Sequence, residues 1–229
     1  MATLTGMSLN VYENIPSAWS YVEDEAAHAE TALEKTARQK LKEAGIRPCF
    51  ASQAAFIAHE AQAVRAQSVI LLGGAPILEA LHLADALGSE GQVTIIDTDQ
   101  KVTKMATALF KSLEEESTVR VRIVAALGDS YLPRLNTMDY DIIVAGGDPT
   151  NYRSAYDNAE RLLRRGGELI LSDALGFLNA DSTGGLTNPA DRSRKATLLR
   201  ALSKELADDD RFSTTLTGIG TGLSLSVLR

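Results

Sequence analysis

The chain has 229 residues, 45% of them hydrophobic, enough to bury one sizeable core and consistent with a single domain. A formal net charge of −7 argues against a nucleic-acid partner, whose phosphates are held by clustered Lys and Arg; the local groups Arg164-Arg165 and Arg192/Arg194/Lys195 read as solvated helix ends and faces. Cys49 is the only cysteine, which excludes an intramolecular disulfide and a cysteine metal cage and suits a small apolar filler.

The N-terminal stretch lacks a basic start followed by an apolar core, and no run approaches the ~20 apolar residues needed to cross a bilayer. The expected location is the cytoplasm, with no membrane partner. Residues 1–16 read as a loose lead-in ending at Pro16. From Ser17 to Ala44 the pattern is helical, with Leu33, Ala37 and Leu41 on one stripe and Gly45 as a stop. After Arg47-Pro48, Ser52 is expected to cap a second helix carrying Ala55, Phe56, His59 and Ala63. No strand precedes these helices, so residues 1–66 form an N-terminal helical layer on an α/β core of residues 67–229.

The core then alternates. Ser68–Leu72 is a short continuous apolar run, a buried strand. Pro76 opens a helix through Leu87, which Gly88 ends. Gln92–Asp97 is the second strand, followed by a helix whose Val102, Met105, Ala106, Leu109, Phe110 and Leu113 make one stripe. Val119–Ala125 and Tyr140–Ala145 are the third and fourth strands. Tyr152, Ala155, Tyr156, Ala159 and Leu163 line the next helix, which is expected to stop at Gly166-Gly167 before a fifth strand, Glu168–Ser172. Residues 175–190 read as a long loop over the sheet's rim, and a helix follows to about Ala207. Two alternating runs around a Gly-rich turn close the chain as an antiparallel hairpin.

Strands alternating with helices imply a parallel sheet, whose ligands bind beyond the carboxyl ends of the strands. Four acids stand there: Asp97, Asp129, Asp148 and Asp173. Carboxylates suit hydroxyls, amines, cations or a metal better than phosphates. Gly73 and Gly74 permit a tight turn and close approach to the backbone after the first strand. Asp97, twenty-four positions after Gly73, stands where a carboxylate accepts both ribose hydroxyls of an adenosine ligand. A dinucleotide fingerprint is absent, because Ala75 and Leu78 replace its second and third glycines, which also disfavours a nicotinamide-dependent oxidoreductase. The alternative, a Gly-Gly pair that merely turns the chain and an Asp97 that caps the next helix, stays open on these residues alone.

The segments VILLGGAP, GQVTIIDTDQK, YDIIVAGGDPTNY, AERLLRRGGELILSDAL and DDDRFSTTLTGIGTGLSLSVLR together resemble the class I S-adenosylmethionine-dependent O-methyltransferases related to the caffeoyl-CoA and catechol enzymes. The similarity runs from about Glu25 to the C-terminus. It implies a Rossmann-like, mostly parallel seven-stranded sheet with helices on both faces, its last hairpin adding one antiparallel strand, and a homodimer. It further implies that Gly73, Gly74 and Ala75 hold the methionine part of S-adenosylmethionine, that Asp97 with Thr98 holds the ribose, and that Gly128, Asp129 and Ser130 lie against the adenine. Asp148 and Asp173 fall in or beside the metal and substrate region, as candidate catalytic groups.

The departures matter equally. Where the family's loop reads acid-x-Gly-x-Gly-x-Gly, this chain has Leu71, Gly73, Ala75 and Ile77. The lost acid meets the cofactor's ammonium, and Asp148 is a candidate to replace it. The metal-ligand stretches match Gly146, Asp148 and Pro149, then Asp173 and Ala174, so two of three ligands and the usual basic Lys are missing. One or two carboxylates leave a hard cation mostly hydrated, so no metal ligand set is expected. The expected activity is methyl transfer to a hydroxyl or carboxylate of a small molecule, with Asp148, Asp173 or His59 as candidate bases; Tyr152 and Tyr156 match a core stripe. The alternative is a catalytically degenerate fold acting as a nucleoside-binding or dimeric interaction module.

Overall fold

The computed structural model describes residues 14–88, 90–113, 119–176 and 185–229. Among these residues three helices come first: α1 (Ile15–Ala29), α2 (Ala32–Glu43) and α3 (Ala51–Ala63). The alternating unit follows as β1 (Ser68–Leu72), α4 (Ile77–Leu87), β2 (Gln92–Asp97), α5 (Gln100–Leu113), β3 (Arg120–Ala125), the short α6 (Gly128–Tyr131), β4 (Tyr140–Ala145), α7 (Pro149–Leu162) and β5 (Leu163–Leu171). Then come α8 (Arg194–Ala207), β6 (Phe212–Thr217) and β7 (Leu223–Leu228). Among the described residues no helix is long and apolar enough to cross a membrane.

The seven strands lie in the order β3-β2-β1-β4-β5-β7-β6. All pairings from β3 to β5 are parallel, and β7 alone runs antiparallel, between β5 and β6. The central strands are apolar without alternation because both faces are covered. Val69 and Leu71 join one core with α2, α3, α4 and α5, while Ile70 and Leu72 join the other with α7 and α8. The edge strands differ: β3 alternates and β6 is Thr-rich and mostly exposed.

Three sequence expectations need correction. The single helix from Ser17 to Ala44 is two, because Thr31 and Glu34 form a reciprocal capping box that restarts the helix after an extended Glu30. Ser52 does not cap α3; it lies inside the first turn, and Glu23 of α1 supplies the cap by accepting from the N–H groups of Ala51 (2.7 Å) and Ser52 (3.0 Å) and from the Ser52 hydroxyl (2.7 Å). The helix through Tyr152 ends at Leu162, four residues short of Gly166-Gly167. Leu163 turns extended to pair with Tyr140, and the glycines fall in an irregular start of β5 where the register shifts between Tyr140 and Ile142. Of the long rim loop, residues 177–184 lie outside the described residues; 185–187 form a 3-10 turn.

Candidate active site

The loop after β1 holds three successive residues in the left-handed region, Gly73 (φ 67°), Gly74 (78°) and Ala75 (56°). Two glycines make this affordable; Ala75 costs about 1 kcal/mol and needs an anchor. Asp97 supplies it. Its Oδ2 accepts the Ala75 N–H at 3.1 Å, while Oδ1 accepts the Asp99 N–H at 2.8 Å and the Gly73 N–H reaches the Ile96 carbonyl at 2.8 Å. The glycines are also required by packing. A Cβ on Gly73 would collide with the Asn151 amide and stand 2.8 Å from the Gly146 carbonyl, and one on Gly147 would stand 2.6 Å from the Gly74 nitrogen. The loops after β1 and β4 therefore lie backbone against backbone.

Asp97 is 7% exposed, closing β2 beside this loop. Thr98 next to it is exposed. Gly128 is buried against β1, where a Cβ would stand 2.9 Å from the Leu72 methyls; Asp129 and Ser130 follow it into solvent, with the Ser130 hydroxyl donating to the Leu127 carbonyl. The ends of β1, β2 and β3 thus bring Gly73–Ala75, Asp97 and Gly128–Ser130 to one rim.

Asp148 is exposed at the N-cap of α7, its Oδ1 accepting from the Thr150 N–H (2.8 Å) and hydroxyl (2.7 Å). These bonds hold its carboxyl below the usual carboxylate range, with Arg194 and Lys195 adding to the effect. Asp173 is different: buried, in the left-handed region at φ 59°, its Oδ2 accepting from the Tyr152 hydroxyl at 2.9 Å and from the Lys195 ammonium. Burial, then Asp173, pushes the Tyr152 phenol well above its ordinary value, so it remains a donor. Lys195 also lies 5.4 Å from the centre of the Tyr152 ring. His59 is exposed on α3, His82 lies 3.4 Å from Glu34, and Tyr156 donates to Asp209 at 2.9 Å.

Four residues of this region were not legible as site residues. Lys195 belongs to a basic group that reads as solvated, yet its ammonium is on Asp173. A cation in the first turn of a helix opposes the macrodipole, and that was the available signal. Gln53, Glu79 and Thr221 gave none. The Asp173 N–H donates to the Thr221 hydroxyl (3.1 Å), which donates to the Gln53 carbonyl (3.1 Å), whose amide donates to Glu79 (3.3 Å). Among the described residues, no three His, Cys, Asp or Glu side chains are grouped to hold a metal ion.

Comparison with known proteins agrees with this architecture. A protein of Mycobacteroides abscessus classed by name among the O-methyltransferases is 26% identical over 210 residues, covering 89% of this chain and 94% of that protein. An O-methyltransferase from Bacillus cereus, solved in complex with SAH, superposes with a TM-score of 0.77 at 17% identity, over 93% of this chain and 99% of the other. The O-methyltransferase TomG from Streptomyces achromogenes, solved with SAM and described as involved in tomaymycin synthesis, gives 0.71 at 17% identity, over 93% and 97%. The O-methyltransferase family model matches residues 21–229, nearly the whole chain: this protein belongs to the O-methyltransferase family.

Proposed function

We propose that the protein transfers a methyl group from S-adenosylmethionine to a hydroxyl or carboxylate oxygen of a small molecule, without a strict metal requirement. The observation that carries this is Asp97. It ends β2 at the rim, fastens the left-handed Gly73–Ala75 loop through Ala75, and as a carboxylate has about four lone-pair sites, of which two are used among the described residues. The remaining ones suit a pair of ribose hydroxyls. The SAH and SAM carried by the Bacillus and Streptomyces structures support the same cofactor.

S-adenosylmethionine supplies an electrophilic methyl on a sulfonium. The chain's own part is positioning: Gly73–Ala75 for the methionine end, Asp97 for the sugar, Gly128–Ser130 for the base. An in-line displacement gains most from holding the two partners in near-attack geometry. Tyr152 and Lys195 hold Asp173 at the end of β5, beside the region for the acceptor.

A divalent cation does not fit these residues. Gly146 and Ala174 offer no side-chain oxygen, and the remaining carboxylate, Asp173, already has an ammonium and a phenol on Oδ2. A dication there would displace Lys195 or face its charge at close range. The absence of an acid at Leu71 favours the degenerate reading, in which the fold binds a nucleoside or a second copy without catalysis.

Calorimetric titration with S-adenosylmethionine and S-adenosylhomocysteine, with NAD as control and with EDTA or magnesium present, tests the cofactor and separates it from the second-copy form of the degenerate reading. Micromolar affinity for both ligands, unchanged by EDTA, lost in Asp97→Ala and absent for NAD, is the expected result. No binding to a folded protein would leave only the interaction module.

A further inference from the structure

Behind the Gly73–Ala75 loop lies a carboxylate that the described residues leave half unmatched. Glu79 stands in the first turn of α4, four residues beyond Ala75, and is 5% exposed. Its Oε1 receives the Gln53 amide at 3.3 Å; its Oε2 is buried with no hydrogen-bond partner among the described residues. The Cys49 thiol lies against the group, but a thiol is a weak donor and brings no charge. Arg38, which reaches the Cys49 carbonyl, is bound to Glu30. Burying a carboxylate is costly unless it is paired, and an unmatched buried oxygen in a native fold calls for a partner.

The surroundings place this oxygen at the sheet's rim. The start of α3 contributes Cys49 and Gln53, the start of α4 contributes Glu79, the end of β5 contributes Asp173, and the turn between β6 and β7 contributes Gly220 and Thr221. The hydrogen-bond chain from Asp173 through Thr221 and Gln53 ends on Glu79 and orients it. Gly220 is needed for this closeness, since a Cβ there would stand 2.6 Å from the Gln53 carbonyl oxygen. Burial raises the Glu79 carboxyl above its ordinary value; hydrogen bonding at its own backbone and with Cys49 and Gln53 opposes this, and the Asp173 charge adds to it.

We propose that Glu79 is the group that receives the primary ammonium at the methionine end of the cofactor, replacing the acid missing at Leu71. This rests on the S-adenosylmethionine reading above. Leu71 is fully buried in the apolar core, and Asp148 caps α7 from an exposed position, so neither suits the part. An ammonium gives Oε2 both a donor and a counter-charge. A metal does not suit the site, because the neighbouring Gln53 presents its amide N–H rather than its oxygen to the carboxylate.

The test compares two probes that share the thioadenosine part: S-adenosylhomocysteine, which carries the ammonium, and 5′-methylthioadenosine, which lacks the amino-acid end. Glu79→Gln keeps the shape and removes the charge. By calorimetry it is expected to weaken S-adenosylhomocysteine by about ten- to hundredfold and to leave 5′-methylthioadenosine unchanged. Unchanged S-adenosylhomocysteine affinity in Glu79→Gln overturns the assignment while the cofactor reading stands. Equal weakening of both probes also overturns it, leaving Glu79 a purely structural role. If the wild-type protein binds neither probe, the cofactor reading fails first and this inference falls with it.

Discussion

At the scale of single residues, buried carboxylates divide according to whether the fold supplies a partner. Asp97 and Asp173 are met by N–H, O–H or ammonium donors. Glu168, on β5 opposite Ile142 and Val227, is not: it is 3% exposed, and its Oε2 has no partner among the described residues. Burial, with Glu60 adding, pushes its carboxyl from 4.5 up to about 7. The folded protein therefore binds more protons than the unfolded chain between those values. The resulting stability is full below about pH 4.5, falls as pH rises, and is gone above about pH 7. Glu168→Gln is expected to be more stable than wild type at pH 8, by on the order of 2–3 kcal/mol, with the difference shrinking towards pH 5. Urea denaturation at the two pH values checks this.

At the scale of elements, α1 is held without a core of its own. None of its side chains is fully buried. Glu23 ties it to α3 by capping that helix, and the Trp19 ring lies on Gly218, where a Cβ would stand 2.8 Å away. Glu23→Ala removes a cap and a tether together. It is expected to cost about 1–2 kcal/mol. The amides of Ile15–Ala29 should then exchange faster with deuterium while those of β1 and β4 keep their protection. The residue spacing that marked the helices did not mark this tie, because the cap comes from 28 positions away rather than from the adjoining Ser52.

At the scale of the whole molecule, α1 and the start of α3 leave Trp19, Tyr21, Val22 and Phe50 exposed on the side of the N-terminal layer. Scattered exposed apolar residues are ordinary, but four of them on neighbouring elements suit burial against a second copy, as the homodimer implied by the family resemblance requires. Sedimentation velocity at micromolar concentration is expected to give twice the chain mass, and Tyr21→Glu combined with Val22→Glu to give one. A wild-type protein that sediments as a single chain would overturn the homodimer that the resemblance implies.

The parallel sheet was legible in the sequence because burial on both faces writes itself into adjacent residues: SVILL and QVTIID are apolar almost without interruption, and turn residues punctuate them. The rim acids followed from the same runs, since whatever ends such a strand stands at the binding edge. What tertiary structure alone decided is where each polar atom's partner lies. Asp148 turned to Thr150, Asp173 took Lys195 and Tyr152, and Gln53 joined Thr221 across 168 positions. Periodicity is set by neighbours a few residues apart, so it can be read from a string. Hydrogen-bond pairing depends on which distant segments the packed cores press together, and so Glu79 appeared in the sequence as one more helix residue.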